Sequence, residues 1–332
     1  AEDGQKMSKS KNNYPEVSYI LDKFGTDAVR GYLVSSIAVN AVPLKFAEDV
    51  VGQCQKNFLL PLLSSLNFYT LANEPKTFSK ATILDKYILT ELDKLVKSQR
   101  SHYDEYQLQP LVLELQGFIE TLNNFYIRNS RKNLYTNIYS HNVLRECIMT
   151  VAKLMAPIFP FHAEHIWMEL GFQESVHLVS YPEIKNLEDI GFDMEKVKKL
   201  SSAVNGYRAS HAISLKVPVQ NVLIKEEMFG QTYNEIVEEL VKKVCNIENL
   251  TVLSNEDSNL LYQVTYNALF KQIGKEYLKD TPAVAKVIKD TVYPNIPMFN
   301  GVSVKKECYS KNTIPIDSAY TYLKSEDILI RS

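Results

Sequence analysis

The sequence has 332 residues, of which 45% are hydrophobic, and its 37 basic and 39 acidic side chains give a net charge of -2. This length and apolar fraction suit two or three globular domains with buried cores. A nearly neutral chain does not coat nucleic acid through charge alone, so any RNA-binding surface must be local. Apolar runs such as residues 58–63 fall short of the roughly 20 residues that cross a bilayer, and no membrane anchor is expected.

The cysteines are too far apart in the sequence to form a C-x-x-C pair, which supports neither a zinc site nor a disulfide framework. They are Cys54, Cys147, Cys245 and Cys308. Buried thiols in a reducing compartment are expected instead. No metal site is predicted, because His162 and His165, three apart on a predicted helix, lack a third ligand nearby.

The chain begins with a polar loop and two short helices. Residues 5–13 are rich in Lys and Ser, and Pro15 prevents helix at that point. Gly25 is expected to end the first helix, and Thr26 is expected to cap the second. The two predicted helices span 16–24 and 27–36. The lack of an initiating Met and of any leader indicates an internal segment of a longer chain.

Apolar residues then recur with a period of 3.6 from Phe46 to Gly171. Five helices are predicted there, at 47–73, 82–104, 108–136, 142–155 and 161–170. Short connections between them favour antiparallel neighbours in a bundle. The stripe of Leu111, Leu115 and Phe118 is expected to lie in its core.

After Ser175 the pattern changes to short apolar runs between amphipathic segments, which is typical of a small α+β domain. Strands are predicted at 219–224, 250–253, 260–264, 314–316 and 328–330, and helices near 193–209 and 231–245. The last strand lies near the end of the sequence, so the domain is expected to end inside or just after a sheet.

The most specific motif is Lys6-Met7-Ser8-Lys9-Ser10. It resembles the signature loop of class I aminoacyl-tRNA synthetases, which links the nucleotide-binding fold to the helices that follow. A five-residue match arises by chance with a probability of roughly one in ten thousand in a chain of this length. The alternative is a solvated Lys- and Ser-rich loop.

The resemblance implies that this loop binds ATP, with Mg²⁺ accompanying the nucleotide. Amino-acid activation displaces pyrophosphate from the α-phosphate, and mobile ammonium groups stabilise the charge that develops. Lys6 and Lys9 are assigned to the triphosphate, with Lys9 the stronger candidate. Ser8 and Ser10 add hydroxyl or backbone donors, and Met7 completes the ATP-binding loop.

Further segments resemble the same family in order and spacing. Residues 24–30 are similar to its Y-G-x-D-A-L-R segment, residues 122–132 to N-W-Y-V-R-x-x-R, and residues 154–167 to L-A-P-x-x-P-F-x-x-E-x-x-W. The continuation at 11–15, Lys-Asn-Asn-Tyr-Pro, looks like isoleucine enzymes of the eukaryotic and archaeal-like branch.

Arg128, Arg131 and Lys132 lie one turn apart on a predicted helix and form a compact basic face. Such a face suits phosphates or a stacked base of tRNA. The alternatives are a solubilising surface or salt bridges inside the bundle. Tyr126, on the same helix, is expected to pack in the core.

The resemblance implies a mainly α fold. A class Ia anticodon-binding helical bundle over 46–182 follows the end of a Rossmann-type catalytic domain over 1–45. A small α+β junction domain, possibly truncated, follows over 183–332.

The activity implied is ATP-dependent activation of isoleucine and its transfer to tRNA in the cytoplasm. The family's H-x-G-H element, amino-acid pocket and editing domain are not found in these residues, so this chain alone is expected to be inactive. The alternatives are a valine, leucine or methionine enzyme of the same class, or a non-catalytic tRNA-binding protein with a vestigial loop.

Overall fold

A computed structural model describes residues 6–11, 13–72, 74–187, 193–230, 234–254, 262–291, 295, 297–315, 321–323 and 328–331. The chain divides into two compact units, Ala1–Ile190 and Gly191–Ser332. The domain boundaries expected near residues 45 and 182 stay predictions.

Two short helices follow the opening loop, α1 at Val17–Phe24 and α2 at Thr26–Ser35. Gly25 ends α1, as predicted, and its φ of +80° is a conformation that glycine adopts readily. The expectation that Thr26 caps α2 was wrong. Gly25 occupies the capping position, and Thr26 is already the first helical residue.

The five predicted bundle helices are all present. Two of them are continuous helices interrupted by a π-helical turn: α3 (Glu48–Cys54), Gln55–Leu59 and α4 (Leu60–Leu71) form one, and α6 (Leu108–Glu120), Thr121–Ile127 and α7 (Arg128–Thr136) form the other. The remaining three are α5 (Ile83–Asp104), α8 (Ile138–Met155) and α9 (Pro160–Glu169). No described helix is both long enough and apolar enough to cross a membrane.

Helix α8 begins four residues before residue 142, so its predicted start was wrong. The side chain of Asn137 accepts a hydrogen bond from the backbone N–H of Tyr139 at 3.0 Å. Asparagine is a favoured helix N-cap, and this cap starts the helix at Ile138.

The π-helical turn of the second long helix is hydrogen-bonded to α4 of the first. The Asn123 amide nitrogen donates to the carbonyl of Pro61 at 3.1 Å, and the Ser65 hydroxyl donates to the Asn123 amide oxygen at 2.9 Å. The Asn123 side chain thus fastens the second long helix to α4.

The predicted apolar stripe forms part of the bundle core. Leu111, Leu115 and Phe118 are all buried, and full burial of such side chains contributes about 1.5–3 kcal/mol each. The helical periodicity therefore identified the inward face of α6 correctly.

A buried carboxylate, Asp85, joins three helices of this core. It accepts hydrogen bonds from the Thr82 backbone at 2.8 Å, from the Tyr126 hydroxyl at 2.6 Å and from the Ser140 hydroxyl at 2.9 Å. Burial, followed by the nearby Asp85 carboxylate, raises the pKa of Tyr126. The Tyr126 hydroxyl therefore stays protonated and keeps donating to Asp85.

The second unit mixes helices and strands. Its helices are α10 (Met194–Ser210), α11 (Glu235–Cys245), α12 (Phe270–Tyr277) and α13 (Thr281–Asp290). Its strands are β1 (Val219–Lys225), β2 (Ile247–Leu253), β3 (Tyr262–Ala268), β4 (Met298–Phe299), β5 (Val302–Ser303), β6 (Tyr309–Pro315), β7 (Thr321–Leu323) and β8 (Ile328–Arg331).

All five predicted strands correspond to strands of the structure, whereas α12, α13, β4, β5 and β7 were not predicted. The predicted residues 231–233, 260–261 and 316 lie outside the described part of the chain. A helical unit followed by an α+β unit confirms the predicted mainly α fold class.

The larger sheet of the second unit has the strand order β2-β1-β8-β7. Strands β1 and β2 are parallel, as a crossover through α11 requires, and the other pairs are antiparallel. The buried Arg208 donates to the carbonyls of Cys245 at 3.0 Å and Asn246 at 2.5 Å. This places a positive charge at the carboxyl end of α11, where the helix dipole favours it.

All four cysteines are free and buried, as predicted. Burial raises the pKa of both Cys54 and Cys245 to about 12. Both thiols are therefore protonated and unreactive at neutral pH.

Gly31, in α2, offers a direct test of this packing. An added Cβ would lie 2.4 Å from the Phe159 ring and 2.7 Å from the Cys54 sulfur. Overpacking of this kind costs about 1–3 kcal/mol, so Gly31→Ala is expected to lower the free energy of unfolding by that amount in urea titrations.

The matched control is Gly117→Ala, because a Cβ at Gly117 meets no atom within 4 Å. Replacing a helical glycine with alanine there is expected to raise stability by up to about 1 kcal/mol. Equal stability of the two variants would contradict the packing described at Gly31.

Candidate functional site

The Lys6–Ser10 loop places three of its predicted ATP-binding residues, Lys6, Met7 and Ser10, at the surface. Lys6 and Met7 are exposed and Ser8 is half-buried, while Lys9–Lys11 form a single 3-10 turn. The side chain of Lys9 lies outside the described part of the structure. The Ser8 and Ser10 hydroxyls lie 3.2 Å apart and hydrogen-bond to each other.

Asn13 holds this loop in shape, a role that was not predicted. Its amide nitrogen donates to the Lys6 carbonyl at 3.2 Å, and its amide oxygen accepts from the Ser8 backbone N–H at 2.9 Å. Asparagine side chains commonly bond to nearby backbone in this way. The presence of an asparagine at position 13 could therefore have indicated this role from the sequence.

Helix α1 connects the loop to the bundle and touches α3 through polar groups. Lys23 forms an ion pair with Glu48, and the Tyr19 hydroxyl donates to Glu48 at 3.3 Å. The Lys23 hydrogen bond lowers the pKa of Glu48. Because both side chains of the ion pair are solvent-accessible, it contributes little stability.

Helix α2 meets the start of α9 through a buried carboxylate. Asp27 accepts hydrogen bonds on one oxygen, Oδ2, from the His162 backbone N–H and from the His162 ring nitrogen Nδ1, both at 2.8 Å. A nearby side chain of α2, Arg30, donates to the carbonyls of Ile158 at 2.8 Å and Pro157 at 3.0 Å. These bonds fix α2 against the segment that leads into α9.

His162 and His165 do not form a metal centre in the structure. His162 uses a ring nitrogen to bond Asp27, and His165 is exposed. Within the described residues, no group of three or more His, Cys, Asp or Glu side chains is arranged to hold a metal ion.

Arg128, Arg131 and Lys132 lie on α7, directly after the π-helical turn, and all three are exposed. None of them forms an ion pair with a carboxylate in the described ranges. The bundle therefore leaves this basic face available for an anionic partner.

Aromatic rings lie next to the basic face. The Arg131 guanidinium lies 5.7 Å from the centre of the Phe68 ring, which contacts Tyr135 edge to face at 5.4 Å. Tyr135 is exposed. By contrast Tyr126 is fully buried, which confirms its predicted packing role.

Two family models match this chain. Residues 1–45 match "tRNA synthetases class I (I, L, M and V)", and residues 85–223 match "Anticodon-binding domain of tRNA ligase". The first match contains the Lys6–Ser10 loop with α1 and α2. The second contains the basic face of α7.

Curated relatives align over most of the chain. It is 31% identical over 328 residues to the isoleucine–tRNA ligase of Chlamydia muridarum, covering 92% of this chain and 31% of that protein. The ligase of Chlamydia trachomatis serovar D is 30% identical over 359 residues, covering 100% of this chain and 34% of that one. A probable cytoplasmic isoleucine–tRNA ligase of Encephalitozoon cuniculi is 31% identical over 278 residues, covering 83% and 26%.

Among solved structures, a ternary complex of Agrobacterium radiobacter K84 LeuRS with tRNA and LeuAMS aligns over 68% of this chain and 25% of that chain, with a TM-score of 0.42 and 15% identity.

The chain belongs to the class I aminoacyl-tRNA synthetases. Within that class its sequence aligns over most or all of its length with isoleucine–tRNA ligases. It spans about a third of the length of these curated relatives.

The amide of Asn13 provides a test of the loop geometry. Asn13→Ala removes the acceptor of the Ser8 backbone N–H, and one hydrogen bond contributes about 1 kcal/mol. Amide hydrogen exchange at Ser8 is therefore expected to become about fivefold faster, as measured by NMR. Asn13→Asp keeps an acceptor oxygen and serves as the control, with Ser8 remaining protected. Equal exchange in all three proteins would contradict the assigned bond.

Proposed function

We propose that this chain forms part of an isoleucine–tRNA ligase, which activates isoleucine with ATP and transfers it to the isoleucine tRNA. In this enzyme the Lys6–Ser10 loop acts on ATP and the helical bundle binds the anticodon arm. The observation that carries the proposal is the exposed signature loop inside a class I synthetase match, followed by an anticodon-binding match.

The chemistry of activation explains the lysines. A carboxylate oxygen of isoleucine attacks the α-phosphorus of ATP, an O–P bond forms, and the bond to the departing pyrophosphate breaks. Negative charge grows on the leaving group, and ammonium groups on an exposed loop follow it more closely than fixed groups would. Lys6 and Lys9 take this role, with Mg²⁺ accompanying the nucleotide.

The basic face of α7 is the proposed contact with tRNA phosphates. Arg128, Arg131 and Lys132 supply three exposed positive charges on a chain whose net charge is -2, so the attraction is local. The Tyr135 ring beside them offers a surface on which an unpaired base can stack. We place the enzyme in the cytoplasm, in keeping with the name of the Encephalitozoon cuniculi relative.

The choice of amino acid rests on the relatives. The class I model covers the isoleucine, leucine, methionine and valine enzymes together, whereas three relatives aligned over most of the chain are named for isoleucine. The eukaryotic or archaeal-like branch stays a prediction. Aminoacylation of purified tRNAs by a complete ligase containing this chain, with each of the four amino acids, tests the specificity. Charging with only valine, leucine or methionine would refute isoleucine.

Lys9→Ala in a complete ligase containing this chain is expected to slow adenylate formation by about a hundredfold, because one donor to the developing charge is lost. The measurement is isoleucine-dependent ATP–pyrophosphate exchange. Lys45→Ala is the control, since Lys45 is exposed and lies outside the signature loop. Exchange at the parental rate in Lys9→Ala would refute the role of this lysine.

Replacing both Arg128 and Arg131 with Ala is expected to weaken tRNA binding by this chain and to flatten its salt dependence. Two lost phosphate contacts reduce the slope of log K against log[salt] by roughly 1.4–1.8. Gel retardation at several salt concentrations measures both effects. Lys196→Ala with Lys199→Ala removes the same charge from α10 as a control. An unchanged slope in the Arg variant would mean that Arg128 and Arg131 belong to the fold and do not contact tRNA phosphates.

A further inference from the structure

We propose that Asp27 is a positioning residue for the ATP loop, because it couples the helix pair that carries Lys6–Ser10 to the start of α9 in the bundle. This inference rests on the proposed function of that loop. Asp27 itself is buried, and its effect on the reaction is exerted through the backbone that links it to Lys9.

The first support is that Asp27 caps a helix from which it is 135 residues distant. The residue at the N-cap position of α9, Phe159, provides no side-chain capping bond. Asp27 supplies it, since its Oδ2 accepts the His162 N–H in the first turn of α9. A carboxylate is favoured at this end of a helix by the helix dipole, so α2 and α9 stabilise each other's position.

The second support is that one oxygen of the Asp27 carboxylate lacks the hydrogen bond expected of a purely structural carboxylate. Both oxygens of the buried Asp85 accept hydrogen bonds. By contrast Oδ1 of Asp27 has no hydrogen-bond partner within the described part of the chain, although its side chain is fully buried. An unpaired buried oxygen lowers the stability of the fold. A carboxylate kept at this cost indicates a requirement beyond local packing.

The third support is that the same junction is fixed at neighbouring points. Arg30 donates to two carbonyls that precede α9, and Gly31 allows Phe159 to approach the backbone of α2 closely. Helix α2 is therefore held against this segment at several points, and Asp27 provides the contact at its amino-terminal end.

The path from Asp27 to the loop is short. Gly25 joins α2 directly to α1, and the loop fastened by Asn13 precedes α1. The other polar anchor of α1, the ion pair of Lys23 with Glu48, is exposed and is weakened by salt. Asp27 is therefore the stronger constraint on the loop. A misplacement of about 1 Å can reduce a catalytic rate by about a hundredfold.

The test compares Asp27→Asn, Lys9→Ala and the double variant in the complete ligase. The rate measured is kcat for isoleucine-dependent ATP–pyrophosphate exchange, divided by the number of active sites titrated as bound adenylate, so that unfolded protein does not count. Asp27→Asn keeps a weaker, uncharged acceptor. It is expected to lower kcat about tenfold while the KM for isoleucine stays within about twofold.

The double variant is expected to be no more than about twofold slower than Lys9→Ala alone, because residues that act as one unit are not additive. Asp49→Asn, an exposed acid in the first turn of α3, is the control and should match the parent. If Asp27→Asn does not fold, His162→Phe is the second variant, because it removes only the ring donor to Asp27. It is expected to lower kcat about threefold. Combined with Lys9→Ala, it is expected to cause no further loss of kcat.

The outcomes separate the two proposals. A parent enzyme without exchange activity overturns the proposed function. An active parent slowed by Lys9→Ala but not by Asp27→Asn or His162→Phe overturns the positioning role alone. Effects of Asp27 and Lys9 that multiply in the double variant also overturn it, because they would act independently.

Discussion

The bundle depends on one buried carboxylate. Asp85 receives hydrogen bonds from the backbone before α5, from Tyr126 on the second long helix and from Ser140 on α8. Hydrogen bonds to a charged group are stronger than neutral ones, and a buried charge without them would be costly. A single group is therefore bonded to all three helices, and α7 with its basic face extends from one of them.

A second buried carboxylate, Asp27, connects the helix pair that follows the loop to the bundle. It lies on a different helix pair, and it binds the first turn of α9 rather than a residue near it in sequence. The exposed lysine loop and the buried bundle are thereby part of one connected framework.

Local patterns were sufficient for much of this structure. The helices of the bundle follow from their periodicity, and the end of α1 follows from Gly25, because each depends on residues that are close in sequence. The bond between Asp27 and His162 was not predictable, since it joins positions brought together only by the fold. Thr26 was misassigned because two adjacent residues can start a helix, and the backbone conformation of Gly25 decides between them. The roles of Arg128 and its neighbours depend on a partner molecule, so the fold establishes their exposure only.

The wide turn at Thr121–Ile127 has a consequence for evolution of the basic face. Each residue of a regular α-helix rotates the following side chains by about 100°, and a π-helical turn holds extra backbone in the same helix. Loss of one residue from a regular stretch of this helix would therefore re-aim Arg128, Arg131 and Lys132, whereas loss of one residue from the π-helical turn is absorbed by a return to regular α-helix. The turn can thus change in length by one residue while these three charges stay on the same side of the bundle.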